Sequence, residues 1–260
     1  MKLVKMQFGG GGLGHGDGAK HAPDRIVGHF QEMFLNEDGI KSKFEIDSVD
    51  VDNSNINFSH NNIYSKIKQI KEKAVILGGD HSISNPCFRA FAENNPGAGL
   101  IVFDAHPDLM ESVGVESQED WLRSLISQKK VDADKVILIG IRNSDGEEME
   151  FIKANSIKNF SMKHLFDTGV KDVCDAVMET ARQWPALYIS IDIDAVDPAF
   201  APGTGYREPG GLSARELIYF VQRLKKLKNL GMADIVEVNP ELDNSELTSK
   251  LAAKLACELF

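Results

Sequence analysis

Two clusters of acidic and imidazole side chains hold most of the chain's chemical potential: Asp104-Ala105-His106-Pro107-Asp108 and Asp192-Ile193-Asp194. Each closes an apolar run, at 100–103 and 187–191. Strand side chains alternate with period 2, so an extended backbone projects Asp104, His106 and Asp108 the same way, and likewise Asp192 and Asp194. A third apolar run, 74–77, ends in Gly78-Gly79-Asp80-His81-Ser82 and adds an imidazole at another strand end. Carboxylates at the end of a buried strand repel each other and resist desolvation unless a cation joins them. The candidate ligands are His81, Asp104, His106, Asp108, Asp192 and Asp194. Two divalent ions balance their four carboxylates. An oxygen-rich set with a few imidazoles favours Mn²⁺ or Mg²⁺ over thiolate-seeking metals. Two such ions ~4 Å apart can make water nucleophilic at neutral pH. The alternative is a set of strand-end carboxylates that merely cap neighbouring helices.

The elements that must position these residues alternate along the chain. Strand-like runs occur at 44–49, 74–77, 99–104, 135–139, 157–161, 186–192 and 232–238, with a further candidate at 3–8. Helical patterns lie at 61–72, 86–93, 119–128, 147–154, 173–183, 213–227 and 245–259. Asn85 before Pro86 reads as a helix cap followed by proline in the first turn. Ser213-Ala214-Arg215-Glu216 reads as a capping box. Short continuous apolar strands alternating with helices predict an α/β fold, a three-layer α/β/α sandwich around a mostly parallel sheet. Ligands of such sheets sit beyond the carboxyl ends of the strands, where the clusters fall. The glycine-rich stretch 9–18 formally contains G-x-G-x-x-G, but no helix opens at its last glycine. It reads as a loop near a site rather than a dinucleotide fingerprint.

The totals narrow the function further. The 260 residues, 42% hydrophobic, suffice for one large core, and residues 1–260 are expected to form one catalytic domain. Twenty-nine Lys and Arg against 39 Asp and Glu give a net charge of −10, which argues against a nucleic-acid partner. Cys87, Cys174 and Cys257 are widely spaced, form no C-x-x-C pair and read as reduced packing residues. No run approaches the ~18 apolar residues that span a bilayer, and residues 1–6 are too short an apolar stretch for a secretory leader. A cytoplasmic protein with no membrane partner is expected.

Taken together, the motifs Gly78-Gly79-Asp80-His81-Ser82, Asp104-Ala105-His106-Pro107-Asp108 and Ser190-Ile191-Asp192-Ile193-Asp194 resemble the signatures of the ureohydrolase (arginase/agmatinase) family. The segment 197–205 and Asp234-Ile235-Val236-Glu237-Val238-Asn239-Pro240 agree with it, in order and spacing, from about residue 74 onward. The resemblance implies two manganese ions per chain. His81 and Asp108 would hold one ion and His106 and Asp194 the other, with Asp104 and Asp192 bridging. Activated water would attack the central carbon of a guanidinium, expelling an amine and leaving urea. Asp108 would orient the water, and Glu237 would hold the guanidinium. That last role also makes physical sense, because a planar cation with forked N–H donors needs a carboxylate partner. The resemblance further implies a homo-oligomer, a trimer or hexamer.

Two departures bear on activity. Many family members carry a proton-shuttling histidine a short way past the Asp-Ala-His-x-Asp motif. Here the stretch reads Glu116-Ser117-Gln118-Glu119-Asp120-Trp121, and no histidine occurs between His106 and His164. Gln118 has no titratable proton and can only orient substrate or water. His15 or Glu119 could supply the acid instead. The second departure is Tyr206-Arg207-Glu208, where Thr-Pro often follows the glycine. Arg207 facing the site would favour a guanidino or formimino acid substrate. The family's asparagine and serine pattern for binding arginine itself is not evident after Asp108, so a simple guanidino cation such as agmatine edges ahead of arginine. The expected function is an agmatinase-like hydrolase of linear amidine C–N bonds. The alternatives are arginase, formimidoylglutamase or guanidino-acid hydrolase activity, or a metal-binding homologue with weak or no catalysis.

Overall fold

Why the site residues converge follows from the order in which strands pair. The computed structural model describes residues 1–14, 17–112, 114 and 116–259. Among them are the strands β1 (Lys2–Lys5), β2 (Glu45–Ser48), β3 (Ala74–Leu77), β4 (Gly99–Phe103), β5 (Val136–Ile139), β6 (Lys158–Phe160), β7 (Leu187–Asp192) and β8 (Leu230–Val236). They form one sheet in the order β2-β1-β3-β8-β7-β4-β5-β6. Every pairing is parallel. The strands that lead into His81 (β3), Glu237 (β8), Asp192 (β7) and Asp104 (β4) are therefore four consecutive neighbours. Their carboxyl ends form a single rim.

Strands β3, β4, β5 and β7 are buried at every residue, as continuous apolar runs in a doubly covered sheet should be. Edge strand β2 is mostly exposed. The helices are α1 (Ala22–His29), α2 (Ile56–Gln69), α3 (Ser84–Asn94), α4 (Trp121–Ser127), α5 (Gly146–Ala154), α6 (Met162–Thr168), α7 (Val170–Ala181), α8 (Ala214–Leu224) and α9 (Leu247–Glu258). On one face Val75, Ile101, Ile137 and Ile189 pack against Ile26, Val177, Phe220 and Leu255 of α1, α7, α8 and α9. On the other, Ile76, Val102, Leu138 and Tyr188 pack against Ile63, Phe88, Trp121 and Ile152 of α2 to α5. Period-2 alternation thus divides the core into two layers, and the expected three-layer sandwich is what the chain forms.

Local expectations fare unevenly. Ser213 and Glu216 make the reciprocal capping box at α8. Asn85 does not cap α3. A 3₁₀ turn, His81–Ile83, runs directly into the helix, and the cap comes earlier, where the Asp80 carboxylate accepts from Ser82 N. The Asn85 amide instead donates to the Trp121 carbonyl (3.1 Å). Helix α2 starts at Ile56, capped by Asn55, ahead of the expected 61. Helix α6, seven residues between the Ser161 cap and Gly169, was too short to register as a pattern. All three cysteines are free and buried. No described helix is long and apolar enough to cross a membrane.

The glycines before His81 serve close approach. A Cβ on Gly79 would lie 1.8 Å from the Phe8 carbonyl oxygen, where the chain leaving β1 crosses it. Gly79→Ala should therefore cost about 3 kcal/mol or more, the upper end for single substitutions. Urea titration checks this, and a midpoint equal to that of the unsubstituted protein would remove the crossing from the account.

Candidate metal centre

The site residues converge through turns rather than through strand alternation. Strand β4 ends at Phe103, and the Asp104 carboxylate uses Oδ1 to accept from His106 N (2.6 Å). Strand β7 ends at Asp192, whose Oδ1 accepts from Asp194 N (2.8 Å) and opens the 3₁₀ turn Ile193–Ala195. Each strand-end aspartate thus closes its own turn with one oxygen and keeps the other for the rim. Those free Oδ2 atoms lie 3.1 Å (Asp104) and 3.2 Å (Asp192) from His81 Nδ1, and Asp108 Oδ2 lies at 2.9 Å. His106 Nδ1 lies 3.0 Å from Asp194 Oδ2 and 3.6 Å from Asp104 Oδ1. Two ligand groups result, His81/Asp104/Asp192 and Asp104/His106/Asp194, and Asp104 belongs to both. Asp192 belongs to the His81 group.

The fit to cations can be tested on individual atoms. His81 Nδ1 and Asp104 Oδ2 are buried, and neither has a hydrogen-bond partner. Buried polar atoms without partners are rare, and three carboxylate oxygens converging on an imidazole nitrogen make a cradle for a positive charge. The far side of His81 fixes which nitrogen is free. Ser190 Oγ donates to Asp234 Oδ1 (2.6 Å). With its one proton committed, it must accept from His81 Nε2 (2.9 Å). Once Nδ1 gives up its proton, its lone pair faces the carboxylates, as a metal ligand requires. Asp234 is further tied by Tyr188 Oη (2.7 Å) and Ser84 Oγ (2.8 Å).

Asp108 and Glu237 both sit in left-handed backbone, with φ of 53° and 61°. Such non-glycine residues cost roughly 1–3 kcal/mol and persist when neighbours hold them. The Trp121 indole donates to Asp108 Oδ2 (2.6 Å), and the Glu148 carboxylate accepts from the adjacent Leu109 N (2.9 Å). Glu237 N donates to the Gly79 carbonyl (2.8 Å), and its Oε1 accepts from His81 N (2.6 Å).

Without a cation the cluster balances itself with protons. Burial opposes charge on His81, but the carboxylates of Asp104, Asp108 and Asp192 outweigh it and hold the imidazole well above its ordinary 6.5. His106 is raised likewise, against burial, by Asp104 and Asp194. Burial, reinforced by the Asp104 charge, pushes Asp108 up to about 7. Burial also raises Asp192, Asp194 and Glu237, with neighbouring carboxylates adding to it.

A cavity of about 290 Å³ opens over the cluster, with both histidines, Asp108, Asp192, Asp194 and Glu237 in its lining. Its walls add Met110, Gln118, Glu119, Asn143, Asp145, Glu148, Thr204, Tyr206 and Glu208, and no described Lys or Arg. Gln118 is almost fully buried, with Nε2 unpartnered. Its backbone N donates to the Gly11 carbonyl (3.1 Å), while Gly11 N donates to Asp80 Oδ2 (2.7 Å). The glycine-rich stretch therefore borders the site at Gly11, although His15 lies outside the described residues. Arg207 does not join the cavity. It is exposed, and its Nε donates to the Pro202 carbonyl (2.7 Å). Glu119 lines the cavity and accepts from Tyr206 Oη (3.3 Å). Sequence reasoning missed Trp121, Ser190, Asp234, Glu148 and Arg142. Asp234 had a readable signal, a lone carboxylate inside an apolar central strand, where burial demands partners.

A parallel α/β/α sandwich whose strand ends bring together two histidine–aspartate groups sharing one carboxylate defines a class of chain built to hold paired cations. The arginase family profile matches residues 3–260, and the chain belongs to that family. It is 34% identical over 190 residues to proclavaminate amidinohydrolase of Streptomyces clavuligerus, covering 72% of this chain and 60% of that protein. It is 32% identical over 203 residues to an arginase of Staphylococcus aureus (strain COL), covering 72% and 67%. The aligned stretch thus spans about three-fifths of the first relative and two-thirds of the second. The fold of formimidoylglutamase from Bacillus subtilis superposes with a TM-score of 0.94 over 99% of this chain and 85% of that one, at 24% identity.

Because the raised imidazoles hold protons that an incoming cation must displace, Mn²⁺ affinity should rise with pH. Calorimetric titration in buffers of different ionisation enthalpy should record proton release near neutrality. A pH-independent affinity without proton release would rule out binding through these imidazoles.

Proposed function

We propose that the chain is a binuclear manganese-dependent hydrolase of linear guanidino and amidine C–N bonds, agmatinase-like, releasing urea and an amine. The observation that carries this reading is the cavity: carboxylates and a paired ligand cluster at its floor, and no described Lys or Arg in its wall. A cationic substrate gains from such a lining, whereas a substrate carboxylate would meet repulsion. Oxygen donors with two imidazoles and no thiolate suit manganese. The names of the relatives, arginase and proclavaminate amidinohydrolase, support the amidino chemistry. The placement of Arg207 outside the cavity removes the feature that would favour a guanidino or formimino acid.

When bound, the ions supply the Lewis acidity that makes water nucleophilic. His81 and Asp108 would hold one ion and His106 and Asp194 the other, with Asp104 and Asp192 serving both. The Glu237 carboxylate, braced by His81 N, anchors the planar cation through forked N–H donors. Asp108, its Oδ2 fixed by Trp121 Nε1, takes the proton of the attacking water and passes it toward the departing amine. The buried Gln118 amide orients substrate without donating a titratable proton. A cytoplasmic homo-oligomer of single catalytic domains completes the proposal.

Urea release from Mn²⁺-loaded protein tests it, with agmatine, arginine, guanidinobutyrate and guanidinopropionate as substrates and formamide release from formiminoglutamate beside them. Agmatine should turn over fastest, and Asp104→Ala should abolish both metal uptake and activity. Activity retained in that variant sinks the mechanism, and a preference for an acidic substrate sinks the specificity. If the missing acid limits the rate, Gln118→His should raise turnover on the order of tenfold or more, part of the ~10²–10⁴ that general acid–base help supplies. An unchanged rate would mean that Asp108, or another group such as Glu119, already supplies the proton.

A further inference from the structure

The two histidines are supported differently on their outer sides. His81 backs onto the buried Ser190–Asp234 pair, whereas His106 turns Nε2 toward the cavity mouth, 3.6 Å from Glu208 Oε1. That oxygen is itself fixed, because Asn143 Nδ2 donates to it at 2.7 Å. The backbone around Glu208 is fixed too. Arg142 Nη2 donates to the carbonyls of Glu208 (2.7 Å) and Asp194 (2.6 Å), and Arg142 Nε donates again to Glu208 (3.2 Å). The guanidinium therefore clips the loop carrying Glu208 to the turn carrying the ligand Asp194. Gly211 beside it must be a glycine, since a Cβ there would lie 2.7 Å from Asp197 N and 2.9 Å from the Ala195 carbonyl oxygen, both backbone atoms. Tyr206, on the same loop, meets His106 edge-on at 5.4 Å between centroids. Loop 204–211 thus closes over one imidazole, with a carboxylate aimed at its only outward nitrogen.

We propose that Glu208 is a positioning residue for His106. Held by Asn143 and by the Arg142 clip, its carboxylate fixes the imidazole's orientation and keeps Nδ1 directed at Asp104 and Asp194. A carboxylate behind a ligating histidine selects the tautomer and raises ligand basicity, and its loss commonly costs 10–100-fold in metal affinity. The inference rests on the metal reading above and assigns Glu208 to the His106 half of the pair. The competing role, a carboxylate that receives the cationic tail of the substrate, predicts a different response.

The test is Mn²⁺ titration of metal-free protein by calorimetry, followed by electron paramagnetic resonance. The unsubstituted protein should take up two ions and give a spin-coupled spectrum. Glu208→Ala should weaken uptake of one ion about 10–100-fold and leave the other, so that an uncoupled single-ion signal persists at intermediate Mn²⁺. Glu208→Gln, which keeps an oxygen facing His106 Nε2, should recover part of the loss, and Asn143→Ala should shift affinity in the same direction by less. Two ions bound with unchanged affinity in Glu208→Ala, with KM for agmatine raised, would overturn the proposal and make Glu208 a substrate-binding group. An unsubstituted protein that takes up no pair of ions would overturn the metal reading itself, and this proposal with it.

Discussion

Concentrated negative charge at the carboxyl rim of a buried parallel sheet is the constraint from which the rest of the molecule follows. Asp104, Asp108, Asp192 and Asp194 are all buried, and Asp104 is wholly so. Carboxylates so close cannot all ionise unless positive charge lies among them. Two imidazoles meet part of that need, and the residual demand is what suits the cluster to a cation. The same demand explains why Ser190, Asp234, Tyr188 and Ser84 form a closed set of hydrogen bonds behind His81. Any loose donor or acceptor there would add to the cost of burying the charges in front.

Rigid supports fix geometry that the local chain would not adopt alone. Asp108 and Glu237 stand in left-handed backbone, and each is pinned from another element, Trp121 of α4 for one and the Gly79–His81 segment for the other. Strain of this kind is affordable only in a scaffold that over-determines it. The sheet provides that scaffold, since four adjacent strands deliver the four site segments to one edge. Gln118, Tyr206 and Glu208 shape the cavity from connections between elements rather than from the sheet.

Much of this was legible in the residues themselves. Continuous apolar runs separated by helical periodicity gave the strands, their parallel arrangement and the side of the sheet on which a site must lie. All six candidate ligands meet at one place, because residue type and strand-end position together carry that information. The route by which they meet was misread. Alternation predicted a shared face, whereas Asp104 and Asp192 each fold their own turn. The failure at Asn85 has the same origin, since the true cap, Asp80, belongs to a 3₁₀ turn that no helical period records. Arg207 and Arg142 could not be told apart in sequence. Both are loop arginines, and only the fold decides that one faces solvent while the other binds carbonyls beneath the site.

The position of β8 has a consequence for how the chain comes to be built. It lies between β3 and β7, yet it is the last strand of the sheet to be synthesised. Until residues 230–236 leave the ribosome, the nascent chain can form only two partial sheets, β2-β1-β3 and β7-β4-β5-β6, each with an open apolar edge along its inner strand. Unpaired edges of this kind are templates for pairing with other chains, and β8 is the strand that covers both. Insertion of that one strand then joins the halves, removes both edges and brings His81 against Asp104 and Asp192. Closing the sheet and assembling the site are one event.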